Sequence, residues 1–501
     1  MSRPTLRTFT VTIFAGLIVF GCFLRFRKLT GVGLWYDELW TVVGASNRPF
    51  MEMYREWILG DAHPPGFFLF YFGWFKLVPN TEFWARLPNA VAGVGTVLYL
   101  LFGTRGVLAR DERIISAAFA SLSYIYIFYS LSVKQYSVVI LLATIATVKY
   151  LAITDERHID RRAGITLAAA CLALAYLNHF GMVYASLLLV LLTAAFRHNR
   201  AQLRRVGQIG GVFAIGYLPI AYFLYLQVAY SIDDWQPYDV HAFISNVLPS
   251  VFFEDQKFVT AALIILLGSV LALRIARRPR IEQMFTSSRN RRLAVVVAAF
   301  AAFMLGLGIS KPIFYIRYFI VLWPAALMGL GIVTAAAFPI DAGWSAALPL
   351  AFFLRAAAID FQSVEWLQRE EWDRSVDLVL ASKQPQDRIY VLGSQTNKTA
   401  FDYLRARDVN GAFFVRNVKF YEYYFRRRGA NQIAATLEVV EPTVGSVLNL
   451  TDRFRGTGAT IYVLAGHNIE YDGEALAVLQ RAARRVESTP LVSTVVYKVI
   501  F

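Results

Sequence analysis

Charged side chains are scarce in this chain. Asp, Glu, Lys and Arg make up 17% of its 501 residues, where a soluble globular protein carries about a quarter. So little charge excludes a large water-soluble core as the sink for the 57% of residues that are hydrophobic. Cysteine is scarcer still, with only Cys22 and Cys171, both inside apolar stretches. That excludes a disulfide framework and a cysteine metal site, and both residues read as apolar filling. Internal repeats and low-complexity tracts are missing as well, which removes a repeat array.

What the chain has in quantity is apolar length. Crossing a bilayer takes about 20 mostly apolar residues in a helix, and such windows recur from the N-terminus to about residue 358, with a mean hydropathy of +0.46 overall. They fall at 8–24, 84–103, 114–131, 134–152, 164–178, 181–196, 209–228, 258–275, 293–310, 317–337 and 344–359. The expected fold class is a mainly α polytopic membrane protein with about 11 transmembrane helices. The first run follows Arg3 and Arg7, lacks a small-x-small cleavage site and is succeeded at once by Arg25, Arg27 and Lys28. It reads as a retained first helix rather than a cleaved signal.

The net charge of +15 and pI near 9.7 report topology, because the basic residues sit in short loops rather than on one soluble face; no nucleic-acid partner is expected. Loops at 104–113, 154–163, 197–206 and 274–292 carry the arginines and fall on one side, which the positive-inside tendency makes cytoplasmic. An odd number of spans then puts the C-terminus outside. The longer outer loops are 25–83 and 229–257, the second built around Asp233, Asp234 and Trp235. Inside the first, 49–59 and 66–78 are too short or too mixed to span, and their aromatic faces predict helices lying at the membrane surface.

From about residue 360 the texture becomes soluble. Strands are expected at 388–394, 412–415, 460–466 and 493–501, with helical spacing at 474–486. The domain reading is therefore a transmembrane catalytic module over 1–359 and an extracytoplasmic α/β domain over 360–501.

Several residues are candidates for chemistry. LWYDELW at 34–40 sets Asp37 and Glu38 just beyond the first helix among Trp35, Tyr36 and Trp40; partial desolvation there favours general-base work. DAHPPGFF at 61–68 places Asp61 and His63 before two prolines that stiffen the turn and start a new helix. Arg86 in WARLPNA, Lys134 and Tyr136 in YSLSVKQYS, and Arg317 and Tyr318 in FYIRYF all fall at the outer membrane face. Cations gathered there with Asp37 and Glu38 fit an anionic phosphate held beside a base.

Taken in order, DE after the first helix, HPP later in the same loop, RLP at the second span, YSxxxKxY after the third and RY near a late span resemble the GT-C type glycosyltransferases. The nearest branch is that of the protein mannosyltransferases and lipid A aminoarabinose transferases, and the resemblance covers roughly residues 8–335. It implies transfer of a sugar from a polyprenyl-phosphate donor to a lipid, glycan or protein acceptor on the outer face, with inversion, in a bacterial inner membrane. It also implies roles: Asp37 as base with Glu38 assisting, Arg86, Lys134, Tyr136, Arg317 and Tyr318 on the donor phosphate, and Asp61 and His63 shaping the acceptor side.

The sequence shows no extended acidic metal-ligand cluster. A divalent cation would require the loop to fold Asp37 together with Glu38 or Asp61, so metal dependence is open. The alternative from another class is a transporter or flippase of lipid-linked sugars, which would carry charge near helix centres; here the charges cluster at helix ends.

Overall fold

The computed structural model describes residues 3–46, 49–59, 61, 63–229, 284, 286–310, 316–338, 340, 347–365, 367, 369–392, 412–440, 444–466 and 473–501. Helices dominate. Six are long and apolar enough to cross a membrane, at Arg7–Arg27, Glu82–Gly103, Tyr136–Glu156, His179–Phe196, Arg200–Tyr225 and Ser288–Gly308, and Trp323–Ala337 is apolar but shorter. Many apolar side chains on these helices face outward, among them Val19, Val91, Val190, Ile215 and Leu218. Exposed apolar surface on that scale suits lipid rather than water, and the chain is a multi-pass membrane protein.

Ten of the eleven windows read from hydropathy coincide with helix, and the window at 258–275 lies outside the described residues, as do Asp233, Asp234 and Trp235. The window at 114–131 is interrupted, since α6 (Arg110–Ser121) stops two residues before α7 (Tyr124–Ser130) begins. The remaining elements of this half are α1 (Arg3–Arg27), α2 (Tyr36–Ala45), α3 (Phe50–Met53) running into a wide turn at Tyr54–Ile58, α4 (Gly66–Trp74), α5 (Glu82–Leu98), α8 (Tyr136–Glu156), α9 (Arg161–Leu177), α10 (His179–Phe196) and α11 (Arg200–Ala229). After them come α12 (Ser288–Ser310), α13 (Trp323–Ala337) and α14 (Ala347–Glu365).

The arginine-rich loops meet at one end of the bundle. Arg289 makes a two-pronged pair with Glu112 at 2.8 and 2.9 Å, Arg292 lies 3.6 Å from Asp155, and the Ile159 N–H donates to Gln202 at 2.9 Å. Asp111 accepts from the Ile340 N–H at 3.1 Å.

The opposite end is capped by the C-terminal part of the chain. Helix α15 (Trp372–Ser382) leads into strand β1 (Arg388–Leu392), followed by α16 (Ala412–Arg427), α17 (Asn431–Ala435), β2 (Glu438–Val440), α18 (Val444–Phe454), β3 (Thr460–Gly466), α19 (Gly473–Ala482), β4 (Arg485–Leu491) and β5 (Thr494–Ile500). The sheet runs β2-β1-β3-β5-β4. β2, β1 and β3 are parallel, with Tyr390 opposite Glu438 and Val463, and β5 is antiparallel to β3 and β4.

Two expectations are corrected here. AFFV at 412–415 opens a helix, not a strand, because the apolar residues that follow, Val418, Tyr421, Tyr424 and Phe425, bury one face at intervals of three and four. The helical spacing at 474–486 ends at Ala482, and Arg485 already pairs with Ile500 in the β4–β5 hairpin.

This C-terminal part does not stand apart from the membrane half. One hydrophobic cluster joins Leu39, Trp40, Trp57, Phe67 and Phe68 of the first loop to Trp372, Phe420, Tyr424 and Leu464, and each large side chain so buried contributes roughly 1.5–3 kcal/mol. Segments 50–58 and 66–74 are helical as expected, with one face in that cluster and with Phe50, Met51, Leu69 and Phe70 exposed on the other.

Candidate active site

The site starts from the first turn of α2. Trp35 is its N-cap, and Glu38 reaches back to accept the Trp35 N–H at 3.2 Å, the carboxylate half of a capping box. Adjacent residues on a helix point about 100° apart, so Asp37 and Glu38 enter different surroundings.

Glu38 turns inward and is fully buried. Arg86, near the start of α5, donates to it from Nε at 3.0 Å and Nη2 at 2.7 Å, the Val133 N–H donates at 2.9 Å, and Arg369 Nη1 lies 3.6 Å away. Burial pushes the Glu38 carboxyl upward, but the Arg369 and Arg86 charges and the hydrogen bonds from Arg86 and Val133 outweigh it and hold it below the usual carboxylate range. The rest of the Arg86 guanidinium donates to the carbonyls of Val32 at 2.9 Å and Gly33 at 2.8 Å. Arg369 donates from Nη2 to Leu131 O at 3.2 Å and Ser132 Oγ at 3.0 Å. Its burial pulls the guanidinium down to about 10, the Glu38 charge working in the other direction.

Asp37 turns the other way. Its side chain is one-fifth exposed and sits 3.5 Å from Arg317 Nη1. A side-chain hydrogen bond joins Arg317 to Tyr136, and the Tyr136 hydroxyl lies 3.1 Å from His63 Nε2. His63 Nδ1 is 2.8 Å from Asp61, which also accepts the His63 N–H at 2.9 Å. Lys134 Nζ closes the series 4.0 Å from Asp61. Burial raises the Asp61 carboxyl, and Lys134 and His63 more than reverse that, leaving it strongly acidic.

Four segments distant in sequence thus supply one chain of polar contacts: Lys134, Asp61, His63, Tyr136, Arg317 and Asp37. The turn at 131–135 is what brings it beside Glu38, since its backbone serves Glu38 and Arg369 while Lys134 and Tyr136 face the other way. Two prolines and a glycine fix the His63 turn, for Pro65 caps α4 and a Cβ on Gly66 would meet the Tyr176 carbonyl oxygen of α9 at 2.5 Å. Tyr318 packs its ring on Phe180 at 4.8 Å between centroids.

No family model and no curated protein matches the chain. Solved structures are similar to it over nearly its whole length. ArnT from Cupriavidus metallidurans in the apo state shares 12% identity at a TM-score of 0.46, covering 98% of each chain. Arabinofuranosyltransferase AftD from Mycobacteria shares 13% at 0.49, covering all of this chain and 40% of that one. The Archaeoglobus fulgidus oligosaccharyltransferase shares 12% at 0.43, covering 94% of this chain and 71% of that one. All three TM-scores fall below 0.5, and the reading of the site rests on its own geometry.

Of the nine residues singled out in the sequence, Asp37, Asp61, His63, Lys134, Tyr136 and Arg317 come together in one constellation. Glu38 and Arg86 form a second, buried one behind it. Sequence reasoning missed Arg369 and Glu370; the signal was the charged run REE at 369–371 immediately beyond the last span. Among the described residues no group of three or more His, Cys, Asp or Glu is gathered to hold a metal ion. The acidic residues are held by different cations, Asp37 by Arg317, Glu38 by Arg86 and Arg369, and Asp61 by Lys134, so these residues do not build a cation cage.

Proposed function

We propose that this chain is a membrane glycosyltransferase of the GT-C type. On this reading it moves a sugar from a polyprenyl-phosphate donor to an acceptor hydroxyl at the membrane face opposite the arginine-rich loops, with inversion at the anomeric carbon. That face is the extracytoplasmic one, and the C-terminal module lies there.

The observation that carries the reading is the partly exposed Asp37 carboxylate set beside Arg317, with Tyr136, His63 and Lys134 next to it. In-line displacement needs a base on one side of the sugar and positive charge on the other. Asp37 takes the proton from the acceptor hydroxyl as the new C–O bond forms, and the anomeric carbon–phosphate oxygen bond breaks with its electron pair leaving on the lipid phosphate. Arg317 and Lys134 meet that phosphate through charge-assisted hydrogen bonds, and the Tyr136 hydroxyl adds a donor. Arg317 lies 3.5 Å from Asp37; the donor phosphate competes for the guanidinium and releases the carboxylate for its role as base. His63, held by Asp61 and facing Tyr136, borders the acceptor side.

Glu38 and Arg86 receive a different role from the one their motifs suggest. Arg86 directs its donors to Glu38 and three backbone carbonyls, those of Leu29, Val32 and Gly33, which leaves it poorly placed to bind phosphate, so the pair serves as the buried frame that holds the Asp37 turn. A divalent cation, if used, would take Asp37 as its protein ligand and the rest from donor phosphate and water; no step above runs through one.

The test is transfer itself. Membranes containing the protein are incubated with a panel of radiolabelled polyprenyl-phosphate sugars, and the labelled acceptor is isolated. Transfer that depends on the wild-type chain supports the proposal; a full panel with no labelled product removes it.

A further inference from the structure

Three alternate residues at the start of α2, one before it and two in its first turn, are gripped by the C-terminal module. The Leu34 N–H donates to the Tyr424 hydroxyl at 2.8 Å. The Tyr36 N–H donates to Glu370 Oε2 at 2.8 Å, and the same oxygen accepts from Trp372 Nε1 at 2.7 Å. Glu38 faces Arg369 at 3.6 Å, and Arg369 is anchored in turn to Leu131 and Ser132 and lies over the Trp35 and Phe128 rings.

We propose that Arg369 and Glu370 are positioning residues for Asp37, gripping residues 38 and 36 on either side of it so that the C-terminal module sets the aim of the base. This rests on the reading of Asp37 as the base.

Chemistry favours orientation over simple packing. The first N–H groups of a helix have no partner within it, and here the Tyr36 donor is satisfied by a carboxylate 334 residues further along the chain. Both Arg369 and Glu370 are at least nine-tenths buried. Buried ion pairs are often no better for stability than apolar residues of the same volume, and in several proteins what they supply instead is a fixed register. A base needs that fixing, since a displacement of about 1 Å at a reacting group costs on the order of a hundredfold in rate.

The experiment compares Glu370→Ala, Glu370→Gln and Tyr424→Phe in the full-length protein. Expected for Glu370→Ala is a fall in kcat of roughly 10–100-fold with the donor KM within about twofold of wild type. Glu370→Gln keeps an acceptor oxygen for the Tyr36 N–H and restores most of the rate. Tyr424→Phe keeps the packing and loses only the Leu34 acceptor, so its effect is smaller and in the same direction. A second arm needs no activity: carbodiimide labelling of Asp37, read by mass spectrometry, changes in rate in Glu370→Ala at an unchanged melting temperature. Unchanged labelling with unchanged kcat overturns the inference, and so does a loss of rate that follows only the folded fraction. A wild-type protein that transfers no sugar sinks the glycosyltransferase reading instead, and the labelling arm then decides the grip by itself.

Discussion

Asp37→Asn and Glu38→Gln each exchange one carboxylate for an amide at neighbouring positions, and they are expected to fail in opposite ways. Glu38 is fully buried between two guanidiniums, with Arg86 at 2.7 Å and Arg369 at 3.6 Å. Removing its charge takes the principal counter-ion from two buried cations, and breaking a buried pair in this way costs about 3–5 kcal/mol. Spread over a chain of 501 residues, that corresponds to a drop in melting temperature of roughly 3–5 °C, read by fluorescence-detected unfolding in mild detergent. Asp37 is partly exposed and its one ion pair spans 3.5 Å, a contact worth about 0–1 kcal/mol, so Asp37→Asn melts within about 2 °C of wild type. It loses the base, however, and general-base catalysis is worth about 10²–10⁴-fold, or roughly 3–5 kcal/mol on the barrier. Acid separates the two further. The folded Glu38 carboxyl is held below its usual range, so its stabilisation is fully present above the unfolded value of about 4.3 and is lost as the pH falls through the folded value; Glu38→Gln lacks that component of acid sensitivity. A Glu38→Gln protein as stable as wild type, or an Asp37→Asn protein with full turnover, would refute the division of labour.

Two more outcomes follow from the same geometry. Arg317→Ala is expected to weaken binding of polyprenyl phosphate by roughly 10–100-fold, the worth of a charge-assisted hydrogen bond; unchanged affinity in a scintillation binding assay would remove it from the phosphate side. Gly66→Ala would ordinarily favour a helix by about 0.5–1 kcal/mol. Here its Cβ would press on the Tyr176 carbonyl at 2.5 Å, so a net loss of about 1–3 kcal/mol and slower transfer through the displaced His63 turn are expected, measured by melting and initial rates.

Much of this was legible in the sequence, and the reasons for the gaps are physical. Lipid demands long apolar helices, so hydropathy located nearly every described one. Asp37, His63, Lys134, Tyr136 and Arg317 were visible because ionisable residues at a membrane face are few. Which of two adjacent carboxylates turns inward depends on helix phase and on what waits there, and sequence order carries neither for Glu38. Arg86 looked like a phosphate ligand because its chemistry fits one; its partners are a carboxylate and three carbonyls supplied by distant backbone. β4 escaped notice because RVESTPL lacks alternation and carries Pro490, which an edge strand tolerates. Arg369 and Glu370 escaped because a short charged run after a span ordinarily marks only the water boundary.

The apolar cluster shared by the first loop and the distal sheet has a consequence for how the protein is made. Residues 34–75 emerge early in synthesis, yet the aromatic surfaces that cover them, Trp372 and Phe420 among them, are translated some three hundred residues later. During that interval the nascent loop exposes Trp40, Trp57 and Phe67, and an inserted bundle cut short before residue 369 would have its helices without an assembled centre. Closure of the site therefore waits on a stretch of chain translated long after the loop that it covers.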